Sequence, residues 1–215
     1  MPEPLLAQVT LPPNLVEHAE ALIQDGRRHL LGIAGPPGSG KSTLAELLAA
    51  SLGERAIVVP MDGFHLANRE LARLGRADRK GAPDTFDAHG YRALLKRLRQ
   101  AHPAETVYAP AFHRDIEEAI AGSILVPAEV PLVISEGNYL LLDQAPWAGI
   151  KDLFDECWYV AVDDQQRRSR LVNRHIRFGR SQEAAEAWVD HTDEPNARLI
   201  AAYREHADRI INWSD

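Results

Sequence analysis

One cysteine, Cys157, and two methionines occur in a chain of 215 residues. A lone thiol cannot close an intrachain disulfide, and Cys157 lies in the apolar stretch Cys157-Trp158-Tyr159-Val160-Ala161-Val162, which suits a buried structural thiol better than a nucleophile. Basic residues are also short. The 24 Lys and Arg stand against 31 Asp and Glu for a net charge of −7, which argues against a nucleic-acid-wrapping surface and leaves room only for local basic sites. No uninterrupted apolar run approaches the roughly 18 residues of a membrane span, and the first residues lack a basic region followed by an apolar one. The expectation is a cytoplasmic protein with no membrane partner, in which the acceptor pattern Asn212-Trp213-Ser214 is an accident of sequence. None of the nine histidines falls in a tight ligand spacing such as H-E-x-x-H, so structural or surface roles are expected of them. Internal repeats, low-complexity tracts and coiled-coil heptads are absent too. What remains is an ordinary globular composition, and residues 1–215 suit one α/β domain with a small lid or insertion. Composition leaves the oligomeric state open, a homodimer included.

Against that background one stretch stands out. Gly35-Pro36-Pro37-Gly38-Ser39-Gly40-Lys41-Ser42 fits the pattern G-x-x-x-x-G-K-[ST] at every specified position. The preceding run Leu30-Leu31-Gly32-Ile33-Ala34 reads as a short buried strand, and Ser42 to Ala50 is rich in helix formers with apolar residues at helical spacing. Strand, glycine loop and helix thus come in the order that a phosphate cradle requires. Glycines let backbone N–H groups turn inward, the helix N-terminus adds partial positive charge, Lys41 reaches terminal phosphates and the Ser42 hydroxyl ligates Mg²⁺. Gly35, Pro36, Pro37, Gly38, Ser39, Gly40, Lys41, Ser42 and Thr43 are therefore the candidate nucleotide contacts. The bland alternative is a Gly/Pro-rich turn that happens to match.

Residues 1 to 13 carry four prolines and read as an extended arm, after which Asn14 caps a helix from Leu15 to Leu30. Ala56 to Met61 is a β-branched strand, residues 66 to 74 a helix, Gly75 to Asp87 a polar loop and Ala88 to Ala101 a helix. About 105–126 reads as a small insertion with short strands at Val107-Tyr108 and Ile124-Leu125-Val126. Pro131 to Ser135 and Cys157 to Val162 are continuous apolar runs that fit buried parallel strands. Gln165 to Phe178 predicts a very basic helix, Ser181 caps a helix through Val189, Asp193 or Asn196 opens another, and Ile210 to Trp213 is a last strand. Alternating strands and helices of this kind predict a three-layer α/β fold around a mostly parallel sheet, with a helical lid over about 165–190.

Ligands of such sheets bind outside the carboxyl ends of the strands, which gives weight to Asp62 and His65 after the second strand and Glu136 after the third. Phosphoryl transfer needs a cradle, an acid group for metal or acceptor hydroxyl, and cations over developing charge. Asp62 is the candidate base, the alternative being a solvated turn aspartate. Glu136 suits an acid that orients Mg²⁺, the alternative being a helix or loop cap. Arg167, Arg170, Arg174 and Arg177 share a helix face that would present guanidinium groups to a triphosphate when a lid closes, although such runs are usually solvated.

Taken together, Gly35 to Thr43, Met61-Asp62-Gly63-Phe64-His65, Lys80-Gly81-Ala82-Pro83-Asp84-Thr85-Phe86-Asp87 and Ser135-Glu136-Gly137-Asn138-Tyr139 resemble the phosphoribulokinase, uridine kinase and bacterial pantothenate kinase group of P-loop kinases. The resemblance runs from about residue 28 to the end. It looks closest to the bacterial branch described as fructose transport system kinases or nucleoside-triphosphate hydrolase domain proteins, whose segments resemble Arg174-His175 through Trp188 and Asp193 to Leu199. It implies ATP and Mg²⁺, transfer to a hydroxyl of a small metabolite, Asp62 at the base position, and Glu136 as the acid near metal or acceptor. By the same resemblance Arg174 falls where pantothenate kinases carry an arginine that steadies the transferring group. His65, Arg114 and Tyr139 join Asp62 and Glu136 as candidate acceptor contacts. One departure is clear: where pantothenate kinases read P-x-Y-S-H, this chain reads Pro110-Ala111-Phe112-His113-Arg114. That puts pantothenate in doubt, and uridine with it, since the aromatic and histidine set of uridine kinases is not reproduced either. Arg114 would suit an acceptor bearing a phosphate or carboxylate, or make an ordinary surface ion pair. The expectation is an ATP-dependent kinase of a sugar, nucleoside or vitamin precursor. Its rivals are a nucleotide hydrolase or switch that regulates a protein partner and a non-catalytic ATP-binding metabolite sensor.

Overall fold

The computed structural model describes residues 11–100 and 105–212. Helix α1, Pro13–Leu22, opens with a proline in its first turn, where a missing N–H costs nothing. Asn14 is thereby inside the helix and not its cap. The helix ends well before Leu30, because the Asp25 carboxylate accepts the Arg27 N–H at 3.0 Å and turns the chain out toward strand β1, His29–Ala34. Helix α2, Lys41–Leu52, and strand β2, Ala56–Val58, follow. β2 is shorter than its apolar run: the Val59 N–H still reaches the Ile134 carbonyl at 2.8 Å, but Pro60 has no N–H to continue the ladder, and Met61–Phe64 coils into a 3-10 turn.

Helices α3, Asn68–Leu74, and α4, Ala88–Gln100, precede a hairpin of β3, Val107–His113, and β4, Glu118–Val126. These strands are longer than the fragments legible in the sequence. Their register shifts between Ala109 and Ala111, at Pro110, which lacks a donor. Strands β5, Leu132–Gly137, and β6, Glu156–Ala161, lead into helix α5, Asp164–Arg177, helix α6, Gln182–Trp188, helix α7, Glu194–Ala201, and strand β7, Arg209–Asn212. The Ser181 hydroxyl accepts from the Ala184 N–H and caps α6 as expected. Asp193 stands at the start of α7 as one of the two expected openers but makes no side-chain cap, and Asn196 lies inside the helix: a π-helical turn, Val189–Asp193, joins α6 to α7, with Val189, Thr192 and Asp193 buried. Of the expected arm over residues 1–13, Pro13 instead opens α1 and residues 1–10 lie outside the described residues, as do Ala101, Trp213 and Ser214.

Strands β2, β5, β1, β6 and β7 form one parallel sheet in that order. Alternate residues of the continuous apolar runs serve opposite faces. Leu31, Ile33, Ile134, Trp158 and Val160 pack on α1 and α2, while Leu30, Val133, Cys157 and Tyr159 pack on α4, the hairpin and the Tyr139–Phe154 segment. This is the expected three-layer α/β fold around a parallel sheet. Burial pushes the Cys157 thiol up, away from reactivity. Among the described residues no helix is long and apolar enough to cross a membrane.

Candidate active site

The loop after β1 crosses directly to α2. At Gly38 φ is +77°, and a Cβ there would lie 2.8 Å from Leu171 Cγ and 2.9 Å from the Arg167 carbonyl oxygen, so only glycine fits between the loop and α5. No side chain caps α2, whose first N–H groups are left to a ligand at the helix N-terminus.

Parallel pairing of β1 with β5 sets Glu136 opposite Ile33, at the carboxyl end of the sheet. Its carboxylate is 4% exposed and accepts from the Ser42 hydroxyl at 2.9 Å. Burial pushes Glu136 up, against the pull of Lys41. Asp62, in the 3-10 turn beyond β2, lies 3.3 Å from Arg114 Nη2. Burial alone would raise it, but His65, Arg114, Lys41 and Arg174 outweigh that effect and hold its carboxyl below the ordinary range. Lys41 is lowered chiefly by burial, with Glu136 and Asp62 opposing. Burial also lowers Arg174 and His65. The His65 ring, its Nδ1 donating to the Asp62 carbonyl at 2.8 Å, is flanked by Phe86 and Phe112 at 4.0 and 4.5 Å between centroids.

Two cavities meet at this point. One, of 260 Å³, follows the loop and is lined by Gly38, Gly40 and Thr43 with Arg170 and Leu171 of α5. The other, of 410 Å³, opens away from it. One of its walls carries Asp62, His65, Lys80 and Phe112; the opposite wall carries His175, Trp188, Asp193 and Asn196. Lys41, Ser42, Arg114 and Arg174 line both.

The structure therefore brings together Lys41, Ser42, Asp62, His65, Arg114, Glu136 and Arg174. Tyr139 is not among them. Its ring is fully buried against Phe86 and Trp147, and its hydroxyl donates to the Gly81 carbonyl, so it ties two loops together beneath the cleft. Arg167 also departs from expectation: it is 1% exposed and bonded to Glu194 at 2.7 Å and Asp164 at 3.2 Å, joining α5 to α7. Arg177 is exposed and lines neither cavity, whereas Arg180, beyond the helix, lies 4.0 Å over the Trp188 ring and does. Lys80, Trp188, Asp193 and Asn196 went unnoticed in the sequence as site residues. His175 Nε2 bonds Asp193 Oδ2 at 2.8 Å, a contact that only the fold creates.

Among the described residues no group of three or more His, Cys, Asp or Glu is placed to hold a metal ion. One hydroxyl and one buried carboxylate, Ser42 and Glu136, still fit Mg²⁺, which keeps waters and phosphate oxygens as its remaining ligands.

The profile of the Phosphoribulokinase / Uridine kinase family matches residues 30–213. The chain belongs to that family. This family member is 36% identical over 189 residues to a provisionally named uridine kinase of Schizosaccharomyces pombe, spanning 84% of this chain and 80% of the relative. It is 34% identical over 194 residues to the uncharacterized protein YggC of Escherichia coli strain K12, spanning 88% of this chain and 79% of the relative. A crystal structure of a provisionally named fructose transport system kinase from Silicibacter sp. TM1040 superposes with a TM-score of 0.84 at 39% identity, covering 96% of this chain and 100% of that one. The family and the fold follow from these matches, and the family is one of kinases.

Proposed function

We propose that this kinase moves the terminal phosphoryl group of ATP to a hydroxyl of a small metabolite, a sugar, nucleoside or vitamin precursor, held in the larger cavity. The observation that carries the reading is the position of Asp62: an ionised carboxylate on the wall of the same cleft that Lys41, Ser42 and Arg174 line. In this reading the loop and the α2 N-terminus hold the phosphates, and Lys41 bears on the terminal one. Ser42 and Glu136 would hold Mg²⁺, which when bound would neutralise charge on the phosphate oxygens. The acceptor oxygen forms the new P–O bond as the bond to ADP breaks, ADP leaves with the electron pair, and Asp62 takes the hydroxyl proton. Arg174 stabilises charge on the equatorial oxygens. The helices over about 165–190 form the lid, the hairpin over 107–126 the opposite wall, and the chain acts as a single kinase domain.

ADP release measured across a panel of hydroxyl-bearing metabolites tests this. Sharp acceleration by one of them is expected. Release that no metabolite changes and that a protein partner accelerates would instead identify a nucleotide switch.

A further inference from the structure

Four side chains line both cavities, and three of them, Lys41, Ser42 and Arg174, come from the phosphate loop and α5. The fourth, Arg114, comes from the turn of the β3–β4 hairpin on the opposite wall. A group shared by the two cavities stands where the phosphoryl group must cross from one to the other. We infer that Arg114 is a second catalytic arginine, which closes on the transferring phosphoryl group from the acceptor side while Arg174 closes from the nucleotide side. The inference rests on the reaction proposed above.

Three observations carry it. Arg114 holds Asp62 through a single contact of 3.3 Å and lies 5.9 Å over the Phe112 ring, with its side chain 43% exposed, two weak ties that an arriving anion can outweigh. Its turn is joined to the site by the strand that packs on the Asp62 loop: a Cβ at Gly63 would lie 2.3 Å from the Pro110 carbonyl oxygen, so the hairpin sits hard against the turn that carries Asp62. Finally, cations crowd the junction. Lys41 and Arg174 are both lowered by burial first, with Arg114 adding to each, an arrangement that favours an incoming anion at their centre.

The consequence is a coupling of the two halves of the reaction. Moving Arg114 onto the phosphoryl oxygens removes it from the Asp62 carboxylate, which then accepts the acceptor hydroxyl. The base is thus freed when the phosphoryl group is in place. A planar guanidinium suits this duty because its rigid fork aims two parallel N–H groups at two equatorial oxygens, whereas an ammonium acts as a point charge without that fixed geometry.

The test uses the whole chain, and its calorimetric arm needs no acceptor; kinetics with the acceptor found by the ADP-release screen supply the other arm. Calorimetric titration with MgADP, and with MgADP plus aluminium fluoride as a mimic of the transferring group, is run for wild type, Arg114→Gln, Arg114→Lys and Arg174→Gln. Arg114→Gln is expected to bind MgADP as wild type does and to lose at least about tenfold of the tightening that aluminium fluoride brings, with Arg114→Lys between the two. Tightening retained in Arg114→Gln and lost in Arg174→Gln overturns the inference and leaves the proposed reaction standing. Equal weakening of MgADP alone overturns it by making Arg114 a nucleotide clamp. A raised KM for anionic acceptors only, with the tightening intact, overturns it by assigning Arg114 to the acceptor. No tightening in wild type, together with no acceptor-dependent ADP release, removes the kinase reading and the inference with it.

Discussion

The proposed reaction concentrates its proton chemistry in one carboxylate, Asp62. Replacing it by Asn keeps the shape and removes proton acceptance, so turnover is expected to fall by roughly 10²- to 10⁴-fold, toward the lower end if the transfer is loose and proton movement late. Nucleotide affinity measured in parallel should barely change; a matching collapse would make Asp62 a metal ligand. A pH profile gives a second view. The surrounding cations hold Asp62 below the ordinary aspartate range, and a base works only when ionised. As the pH falls, kcat/KM should therefore persist through that range and be lost only beneath it. Arg114→Gln removes one of those cations, so the acid limb should move to higher pH. A limb that stays in place would show that Arg114 does not act on Asp62. Asp62 itself was legible because it follows an apolar strand. The roles of Tyr139 and Arg167 were not, because both side chains turn inward to partners distant in sequence, Gly81 and Glu194.

Helix α5 carries two cations of the site, Arg170 and Arg174, and is itself held by buried charge. Arg167 reaches Glu194 from a position that is 1% exposed, and His175 reaches Asp193 in the π-helical turn. Breaking the first tie with Arg167→Ala strands a partly buried carboxylate and should cost about 3 kcal/mol of stability, measured by urea unfolding. Arg177→Ala, on the exposed side of the same helix, should change stability by less than about 0.5 kcal/mol. Equal effects of the two would contradict the division of that helix into a tied face and a solvated one. Sequence periodicity located α5 to within a residue at each end, but the common face it drew for four arginines does not hold, since Arg167 turns inward to Glu194 and Arg177 lies exposed outside both cavities. Periodicity does not say what lies opposite, and here α7 lies opposite Arg167. The same limit explains β2, whose apolar run goes on to Met61 while Pro60 ends its hydrogen bonding.

At the scale of the whole molecule, the parallel sheet and the phosphate loop were legible because both are written in contiguous residues: continuous apolar runs for β1, β5 and β6, and eight matching positions for the loop. The cleft was only half legible. Its second wall is built from Trp188, Asp193 and Asn196, which meet Lys80 and Phe112 only because the chain returns across the sheet ends. A molecule so arranged should be stabilised by its nucleotide. MgATP at about 100 times its dissociation constant should contribute about 2.7 kcal/mol, seen as a raised Tm, and Lys41→Ala should abolish most of the rise. The central claim is that the terminal phosphoryl group ends on a metabolite hydroxyl. Following ATP labelled in that group, with Mg²⁺ and the acceptor that most accelerates ADP release, tests it most directly. The account predicts label in a phosphomonoester of that acceptor and its loss in Asp62→Asn. Label found only in inorganic phosphate, at a rate that neither acceptor nor Asp62→Asn alters, would contradict it.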